Sequence, residues 1–149
     1  MTSHMYRFAY ITLFIFLIIS VKTSAQSSLT WDELGRISFT TAKNETSGYS
    51  YMKPIFSDKV EDLDGKTIRI TGYMIPLDTD GFEYVISAYP NSACFSCGGA
   101  GKESVVELEL QSYERRYEVD EIVTFEGTYE LNLDEFGLCY RLLEDKPLQ

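Results

Sequence analysis

Histidine is almost absent from this sequence, and basic residues are scarce. The single histidine among 149 residues is His4. The rest of the chain therefore excludes catalytic triads with an imidazole base and metal centres with imidazole ligands. Lysine and arginine number 13 against 23 aspartates and glutamates, which gives a net charge of −10. A chain this acidic repels a phosphate backbone, so we expect no nucleic-acid partner.

Only one long apolar run is present, and it lies at the beginning of the chain. Arg7 supplies a positive charge, residues 8–21 are almost entirely apolar, and residues 23–25 are small. This layout predicts a secretory signal peptide over residues 1–25 that is removed by cleavage. The run is shorter than the roughly 18–20 residues of a spanning helix. The alternative, an uncleaved membrane anchor, is therefore less favoured.

Cleavage after residue 25 predicts a periplasmic or secreted protein with one mature domain, residues 26–149. The only charged residues of the leader are Arg7 and Lys22, so its removal lowers the net charge from −10 to −12. Because no second long apolar run follows, we expect a mature domain that does not span a membrane. A domain of about 120 residues buries enough surface to fold without disulfides.

Alternating apolar and polar residues predict that most of the mature chain is β-structure. Five strands are expected over residues 66–77, 82–89, 104–110, 121–131 and 137–144. In the first strand Ile68 and Ile70 share one face, and Pro76 ends it because proline cannot donate to a sheet ladder. Gly127 inside the fourth strand predicts a bulge or a bend.

Two features precede these strands. Thr30 and Glu33 have the spacing of a capping box, which predicts a short helix that begins at Trp31. The polar stretch of residues 40–50 is expected to be a loop. Five antiparallel strands and one short N-terminal helix together predict a mainly β fold, a small OB-like β-barrel. A β-sandwich is the alternative, but it usually needs seven or more strands.

Four motifs follow one another along residues 30–143. They are a short Trp-x-x-Leu helix, a strand that contains Gly-Tyr-Met-Ile-Pro-Leu, a cysteine loop, and a Val-x-Phe-x-Gly-x-Tyr strand. Their residues are Trp31, Leu34, Leu63, Gly65, Ile68, Ile70, Gly72, Tyr73, Ile75, Pro76, Leu77, Cys94, Val123, Phe125, Gly127 and Tyr129. In these motifs the chain resembles a family of exported bacterial proteins of unknown function.

The resemblance implies a periplasmic OB-like domain found beside metal- or lipid-linked export and transport machinery. Many members carry one loop cysteine that is followed by a histidine and a proline-rich run. This chain has instead a second cysteine, Cys97, followed by glycines. A second thiol would therefore have to take the place of that histidine.

Residues 91–104, Asn-Ser-Ala-Cys-Phe-Ser-Cys-Gly-Gly-Ala-Gly-Lys-Glu-Ser, carry the pattern with the most chemistry. A phosphate-binding loop is excluded because Ser96 and Glu103 stand where it needs a glycine and a hydroxyl residue. The two thiols at Cys94 and Cys97 have the spacing of a metal clip or of a redox pair. The glycines also suit a tight turn with no chemistry of its own.

The metal interpretation uses four residues. Cys94 and Cys97, together with Cys139 or Glu103, could hold Zn²⁺ in tetrahedral geometry. Sulfur ligands alone would suit Cu(I). Cys139 stands inside a strand pattern, however, where a buried thiol commonly acts as a small apolar side chain.

The sequence therefore predicts an exported binding or accessory protein of the bacterial envelope, with no residue assigned to catalysis. Its most specific form is a protein that binds or handles zinc or copper through Cys94, Cys97, Cys139 and Glu103. One alternative is a thiol–disulfide redox protein that uses Cys94 and Cys97. Another is a structural partner domain of a transporter or an envelope complex.

Overall fold

The computed structural model describes residues 27–80, 82–112 and 115–148. The strands are β1 (Ser27–Ser28), β2 (Ser38–Lys43), β3 (Ser50–Ile55), β4 (Thr67–Pro76), β5 (Tyr84–Ser87), β6 (Val105–Leu110), β7 (Ile122–Leu131) and β8 (Tyr140–Leu148). The helices are α1 (Trp31–Leu34) and α2 (Asp58–Glu61). Within these residues no helix has the length and apolarity needed to cross a membrane. The predicted signal peptide lies outside the described residues and stays a prediction.

Five strands close into a barrel, which confirms the predicted mainly β, OB-like fold. The order around the barrel is β4-β5-β6-β8-β7, and β4 also pairs with β7 to close it. Among these five strands all pairs are antiparallel except β6 with β8, which run parallel, and the two-residue strand β1 pairs parallel with β4. The prediction of five antiparallel strands is wrong at the β6–β8 pair. Strands β6 and β7 run in opposite directions, because β4 is antiparallel to β5 and to β7 and β5 is antiparallel to β6. Strand β8 lies between β6 and β7 and is antiparallel to β7, so it runs in the same direction as β6.

Strand β4 pairs with a different strand in each of its halves, and the two halves meet near Gly72. Residues 67–73 pair with β7, whereas residues 73–76 pair with β5. A Cβ atom at Gly72 would lie 2.4 Å from the carbonyl oxygen of Ser87 and 3.0 Å from the ring of Trp31. Only glycine fits at this crossing, which explains the glycine in the middle of an otherwise regular strand.

The core fills the barrel and follows the predicted alternation. In β4, Ile68, Ile70 and Met74 are buried, while Thr67, Arg69 and Thr71 are exposed. The other strands add side chains of the same kind. These core residues are Tyr84, Ile86, Val106, Leu108, Leu110, Val123, Phe125, Tyr129, Tyr140 and Leu142.

Helix α1 packs against the barrel through its apolar residues. The Glu33 carboxylate accepts hydrogen bonds from the backbone N–H and the hydroxyl of Thr30, each 2.9 Å long, and the predicted capping box is confirmed. Leu34 is fully buried. The Trp31 indole donates to the backbone oxygen of Thr71 over 2.7 Å, so the helix is fixed to β4 beside Gly72.

A two-stranded hairpin replaces the predicted loop at residues 40–50. Strands β2 and β3 pair antiparallel, with Ser38 opposite Ile55 and Lys43 opposite Ser50. Residue Pro54 is buried, and the remaining hairpin side chains are exposed or half-buried. Because neither face of the hairpin is fully covered, its sequence lacks the apolar alternation by which a half-buried strand is recognised.

The register is irregular at Gly127, but the extra residue lies in the partner strand β8 and not in β7, where the sequence predicts a bulge or a bend. Along β7 and β8 the register shifts by one residue between Glu126 and Thr128. A matching shift separates Leu108 from Leu110 where β6 pairs with β8. This extra residue of β8 lies opposite Gly127 and is a β-bulge, a feature that commonly bends a strand.

Candidate functional site

The two neighbouring cysteines lie in a loop on the outside of the barrel. This cysteine loop, residues 88–104, connects β5 to β6 and contains three 3₁₀ turns, Asn91–Ala93, Phe95–Cys97 and Lys102–Ser104. It covers an apolar cluster separate from the barrel core, formed by Ile75, Val85, Cys94 and Val105 with Phe95 and Leu138 against them. The loop explains why all four residues of β5 are buried, since the core covers one face and the loop the other.

Cys94 is buried and surrounded by hydrogen-bonding groups. Its side chain is 1% exposed. The Cys94 sulfur lies 3.0 Å from the hydroxyl oxygen of Ser96, and its thiol donates to the side-chain oxygen of Asn91 at 3.7 Å. Cys94 also precedes the 3₁₀ turn Phe95–Cys97 as its N-cap residue.

Cys97 lies at the other end of the same turn and is exposed. Its N–H donates to the carbonyl oxygen of Cys94 over 3.2 Å, and its thiol donates to the carbonyl oxygen of Asn91 over 3.0 Å. A turn closed by such a bond keeps its first and fourth Cα atoms within about 7 Å. The two thiols are free in this structure, and the backbone places them at the two ends of one turn.

Two glycines end the turn for different reasons. Gly98 has φ +74°, a left-handed conformation that favours glycine. A Cβ atom at Gly99 would lie 2.6 Å from the carbonyl oxygen of Ala93. The predicted role of these glycines, a sharp fold of the backbone around the thiols, agrees with both positions.

The surroundings of Cys94 act on its acidity in two directions. Burial raises the pKa of the Cys94 thiol. Hydrogen bonds from the Ser96 hydroxyl and from the backbone N–H groups of Cys97 and Ser96 outweigh burial, with a smaller contribution from the Cys97 thiol. The pKa of Cys94 is therefore lower than that of an ordinary thiol, because these bonds stabilise the thiolate.

Asn91 and Ser96 are site residues that the sequence pattern did not single out. Asn91 accepts a bond from each cysteine, and its own N–H donates to the carboxylate of Asp120 over 2.6 Å. Asp120 has φ +65°, a left-handed conformation in which aspartate is enriched. Ser96 lies between the two cysteines, so its hydroxyl was the one signal that the sequence offered.

Cys139 and Glu103, the other two predicted ligands, lie in a second environment. Cys139 belongs to the barrel core, and burial raises the pKa of its thiol to about 11. Lys102 lowers and Glu103 raises this pKa through their charges, which places both near Cys139. The Lys102 ammonium donates to the carbonyl oxygen of Gly137 over 3.0 Å.

The predicted ligands thus separate into two pairs, Cys94 with Cys97 and Cys139 with Glu103. In the described parts of the chain, no three histidine, cysteine, aspartate or glutamate side chains form a group able to hold a metal ion. Tetrahedral zinc needs four ligands, of which at least three usually come from the protein. Metal binding by the four residues stays a prediction.

A small apolar cavity lies beside the Cys94 thiol. Its volume is about 160 Å³. It is lined by Ile75, Leu77, Val85, Cys94, Phe95, Ser96, Val105 and Leu138. Leu77, which is 52% exposed, also borders a groove of about 420 Å³ on the face of β5 and β6. The groove is lined further by Phe82, Glu83, Tyr84, Glu107, Leu108, Glu109, Arg141 and Leu143.

Comparisons with known proteins found a solved structure with a similar fold. No family model and no curated protein matches the chain. A solved crystal structure, that of a DUF3299 family protein from Pseudomonas aeruginosa PAO1, is similar at a TM-score of 0.50 and 16% identity. The match covers 85% of this chain and 98% of that one. At this identity the likeness concerns the fold alone, and the sequence motifs stay a prediction.

Proposed function

We propose that this protein is an exported thiol–disulfide exchange protein in which Cys94 and Cys97 alternate between a dithiol and a disulfide. The observation that carries the proposal is the turn Phe95–Cys97, which holds one buried and one exposed thiol side by side. The redox alternative is favoured over metal binding because two thiols suffice for it, and two are what the turn brings together.

The turn has the dimensions of a disulfide. A disulfide needs Cα atoms about 4.4–6.8 Å apart, and a hydrogen-bonded turn keeps its ends within about 7 Å. The Cys97 N–H bond to the Cys94 carbonyl oxygen, 3.2 Å long, closes this turn. Closing the S–S bond therefore needs side-chain rotation and little movement of the backbone.

The exposed and buried positions suggest how the two sulfurs divide the reaction. A partner thiolate attacks the Cys97 sulfur of the Cys94–Cys97 disulfide. A bond forms between the partner and Cys97, the Cys94–Cys97 bond breaks, and Cys94 leaves with the electron pair as a thiolate. A second thiolate of the partner then attacks the partner's own sulfur and releases Cys97. The partner dithiol loses two electrons and two protons, and the protein disulfide gains them.

The groups around Cys94 suit a leaving thiolate. Its sulfur lies 3.0 Å from the Ser96 hydroxyl, and the nearby backbone N–H groups of Ser96 and Cys97 help to lower the pKa of its thiol. A leaving thiolate of lower pKa departs faster, and a stabilised dithiol form makes the disulfide more oxidising. The protein is thus proposed to act as a disulfide donor to a partner dithiol.

The reduction potential tests this function. The protein is equilibrated in glutathione redox buffers, and the fraction with a Cys94–Cys97 disulfide is measured by alkylation and mass spectrometry. We expect a potential above roughly −230 mV, in the range of oxidoreductases. A Cys139→Ser variant should give the same potential. A potential below about −300 mV, which is typical of structural disulfides, would contradict the proposal, as would the absence of this disulfide.

The same preparation tests the metal prediction. Protein purified under reducing conditions is analysed for zinc and copper, next to the Cys94→Ser, Cys97→Ser double variant. We expect both to be metal-free. One zinc or copper ion per chain that is lost in the double variant would favour the metal-binding prediction over thiol–disulfide exchange.

A further inference from the structure

We infer that the partner thiol belongs to a peptide segment with an apolar side chain next to its cysteine, and that this side chain enters the cavity beside Cys94. The inference rests on the proposed function and names the class of its substrate. It follows from the size and lining of the cavity, the position of Cys97 directly after the lining residue Ser96, and the charge of the adjoining groove.

The cavity has the size and the chemistry of a site for one apolar group. Its volume of about 160 Å³ is close to the roughly 150 Å³ of apolar cavities that bind a benzene-sized group. Among the residues that line it, Ser96 has a hydroxyl, and this hydroxyl is 3.0 Å from the Cys94 sulfur. A polar group in the cavity would lose its bonds to water and gain few in return. The site therefore selects a side chain such as leucine.

The cavity also lies within one residue of the sulfur that reacts. Cys94, Phe95 and Ser96 all line it, and Cys97 follows directly in the chain. Consecutive Cα atoms are about 3.8 Å apart. This spacing allows a peptide whose thiolate attacks the exposed Cys97 sulfur to place the side chain of its neighbouring residue at the cavity. The half-exposed Leu77 stands at the border of the cavity and the groove.

The groove that continues from Leu77 indicates the charge of the rest of the segment. Three glutamates line it, Glu83, Glu107 and Glu109, against one cation, Arg141. The Arg141 guanidinium bonds to the Glu107 carboxylate over 3.2 Å, so the charge that remains is negative. Charge complementarity favours a basic residue in the segment beyond the apolar one.

Short peptides with a single cysteine test the inference. Their sequences differ only in the residue before cysteine, which is leucine, alanine or aspartate. Each peptide reacts with the oxidised protein, and the rate of mixed-disulfide formation is divided by its rate with glutathione disulfide. We expect the leucine peptide to react about tenfold faster than the alanine peptide, and the aspartate peptide to react slowest. A lysine in place of a glutamate farther along the peptide should raise the rate at low salt and lose this effect at high salt.

Two variants assign the preference to the cavity. Leu138→Trp fills it and should abolish the preference, so that the leucine and alanine peptides react at equal normalised rates. Leu138→Ala enlarges the cavity and should shift the preference toward a fourth peptide that has phenylalanine before its cysteine, which keeps the test valid if the tryptophan variant does not fold. Equal normalised rates for all three peptides would overturn the inference.

The control with glutathione separates this result from a failure of the proposed function. If the oxidised protein exchanges with glutathione and shows no peptide preference, the inference about the substrate is overturned and the exchange function stands. If the protein forms no mixed disulfide with any thiol, both are overturned.

Discussion

Two cysteines of this protein are almost fully shielded from solvent, yet the pKa values of their thiols shift in opposite directions. Cys94 is 1% exposed and Cys139 is 3% exposed. Burial raises the pKa of Cys139 to about 11. At Cys94 burial acts in the same direction, but hydrogen bonds from Ser96 and from backbone N–H groups reverse the net shift. The two sites therefore differ in the supply of hydrogen-bond donors and in how deeply the thiol lies in the protein.

The two environments also differ in what surrounds them. Cys139 lies in the core among side chains of the barrel strands, and none of the described side chains forms a hydrogen bond to its sulfur. Cys94 lies in the apolar cluster outside the barrel, one turn away from the exposed Cys97. The Cys139 thiol therefore acts as an apolar core side chain. The Cys94 thiol has a polar neighbour, Ser96, and lies close in the chain to an exposed thiol.

The largest expected effect comes from breaking the core at Gly72. A methyl group there meets the Ser87 carbonyl oxygen at 2.4 Å and the Ile86 side chain at 2.9 Å. We expect Gly72→Ala to lower the free energy of unfolding by about 3 kcal/mol, measured by urea denaturation. Gly65→Ala is the matched control, because Gly65 has φ +72° but open space around it, and it should cost about 1 kcal/mol. Equal losses in the two variants would contradict the close packing described for β4.

A pH titration of stability tests the core half of the comparison. The folded protein holds the Cys139 proton more tightly than the unfolded chain, because its pKa is raised from 9.0 to about 11. Stability from this group is fully present below pH 9 and is lost as the pH rises through about 11. Its loss amounts to about 2–3 kcal/mol.

The control for this titration is a Cys139→Ala variant. Burial also raises the pKa of Tyr129 and Tyr140, so alkaline pH should destabilise both proteins. The wild-type protein should lose more stability between pH 9 and 11 than the variant, which lacks the thiol. Identical curves for the two proteins would mean that Cys139 titrates as an exposed thiol.

A matched pair of serine substitutions compares the two sites directly. Cys94→Ser places a hydroxyl next to Ser96 and Asn91, which bond to the sulfur in the wild-type protein. Cys139→Ser places the same hydroxyl in the apolar core, where burial of an unpaired polar group costs about 1–3 kcal/mol. We expect Cys139→Ser to be the less stable variant by about 1–2 kcal/mol in urea denaturation. The reverse order would show that the partners of Cys94 do not act as hydrogen-bonding groups.

The smallest expected effect is local to the cysteine loop. A methyl group at Gly99 meets the Ala93 carbonyl oxygen at 2.6 Å, whereas one at Gly98 meets no atom within 4 Å. We expect Gly99→Ala to displace the loop and to lower the rate of exchange with glutathione, with a loss of global stability of about 1 kcal/mol. Gly98→Ala should affect the exchange rate less. An unchanged rate in Gly99→Ala would mean that the loop tolerates the displacement.

Much of the barrel could be predicted from the sequence, because its signals are local. The alternation of Ile68 and Ile70, the proline at the end of β4 and the glycine at position 127 all act within a few residues of where they stand. The parallel pairing of β6 with β8 could not be predicted in this way, since it depends on which distant strands meet. The β2–β3 hairpin was missed because only Pro54 of its two strands is buried, so their sequence lacks the alternation of a half-buried strand.

The site was predictable to the same extent. The spacing of Cys94 and Cys97 fixes them at the two ends of one turn, so their proximity is a local property. The position of Cys139 was harder to predict, because β8 begins at Tyr140. Residues 138 and 139 therefore precede the strand, although the sequence places them in a strand over residues 137–144. Cys139 lies in the core together with Tyr140, and Leu138 lies in the outer cluster. Asn91 and Leu138 join the site through tertiary contacts that no local pattern encodes.

The proposed division of labour between the two thiols of the turn can be tested by locating a mixed disulfide. Reduced Cys94→Ser and Cys97→Ser variants are treated with glutathione disulfide, and the adducts are quantified over time by mass spectrometry. Because Cys97 is exposed and Cys94 is buried, we expect glutathione to modify Cys97 rapidly in the Cys94→Ser variant. We expect Cys94 to be modified at least about tenfold more slowly in the Cys97→Ser variant. Faster modification of Cys94 would contradict the assignment of Cys97 as the attacked sulfur and Cys94 as the leaving thiolate.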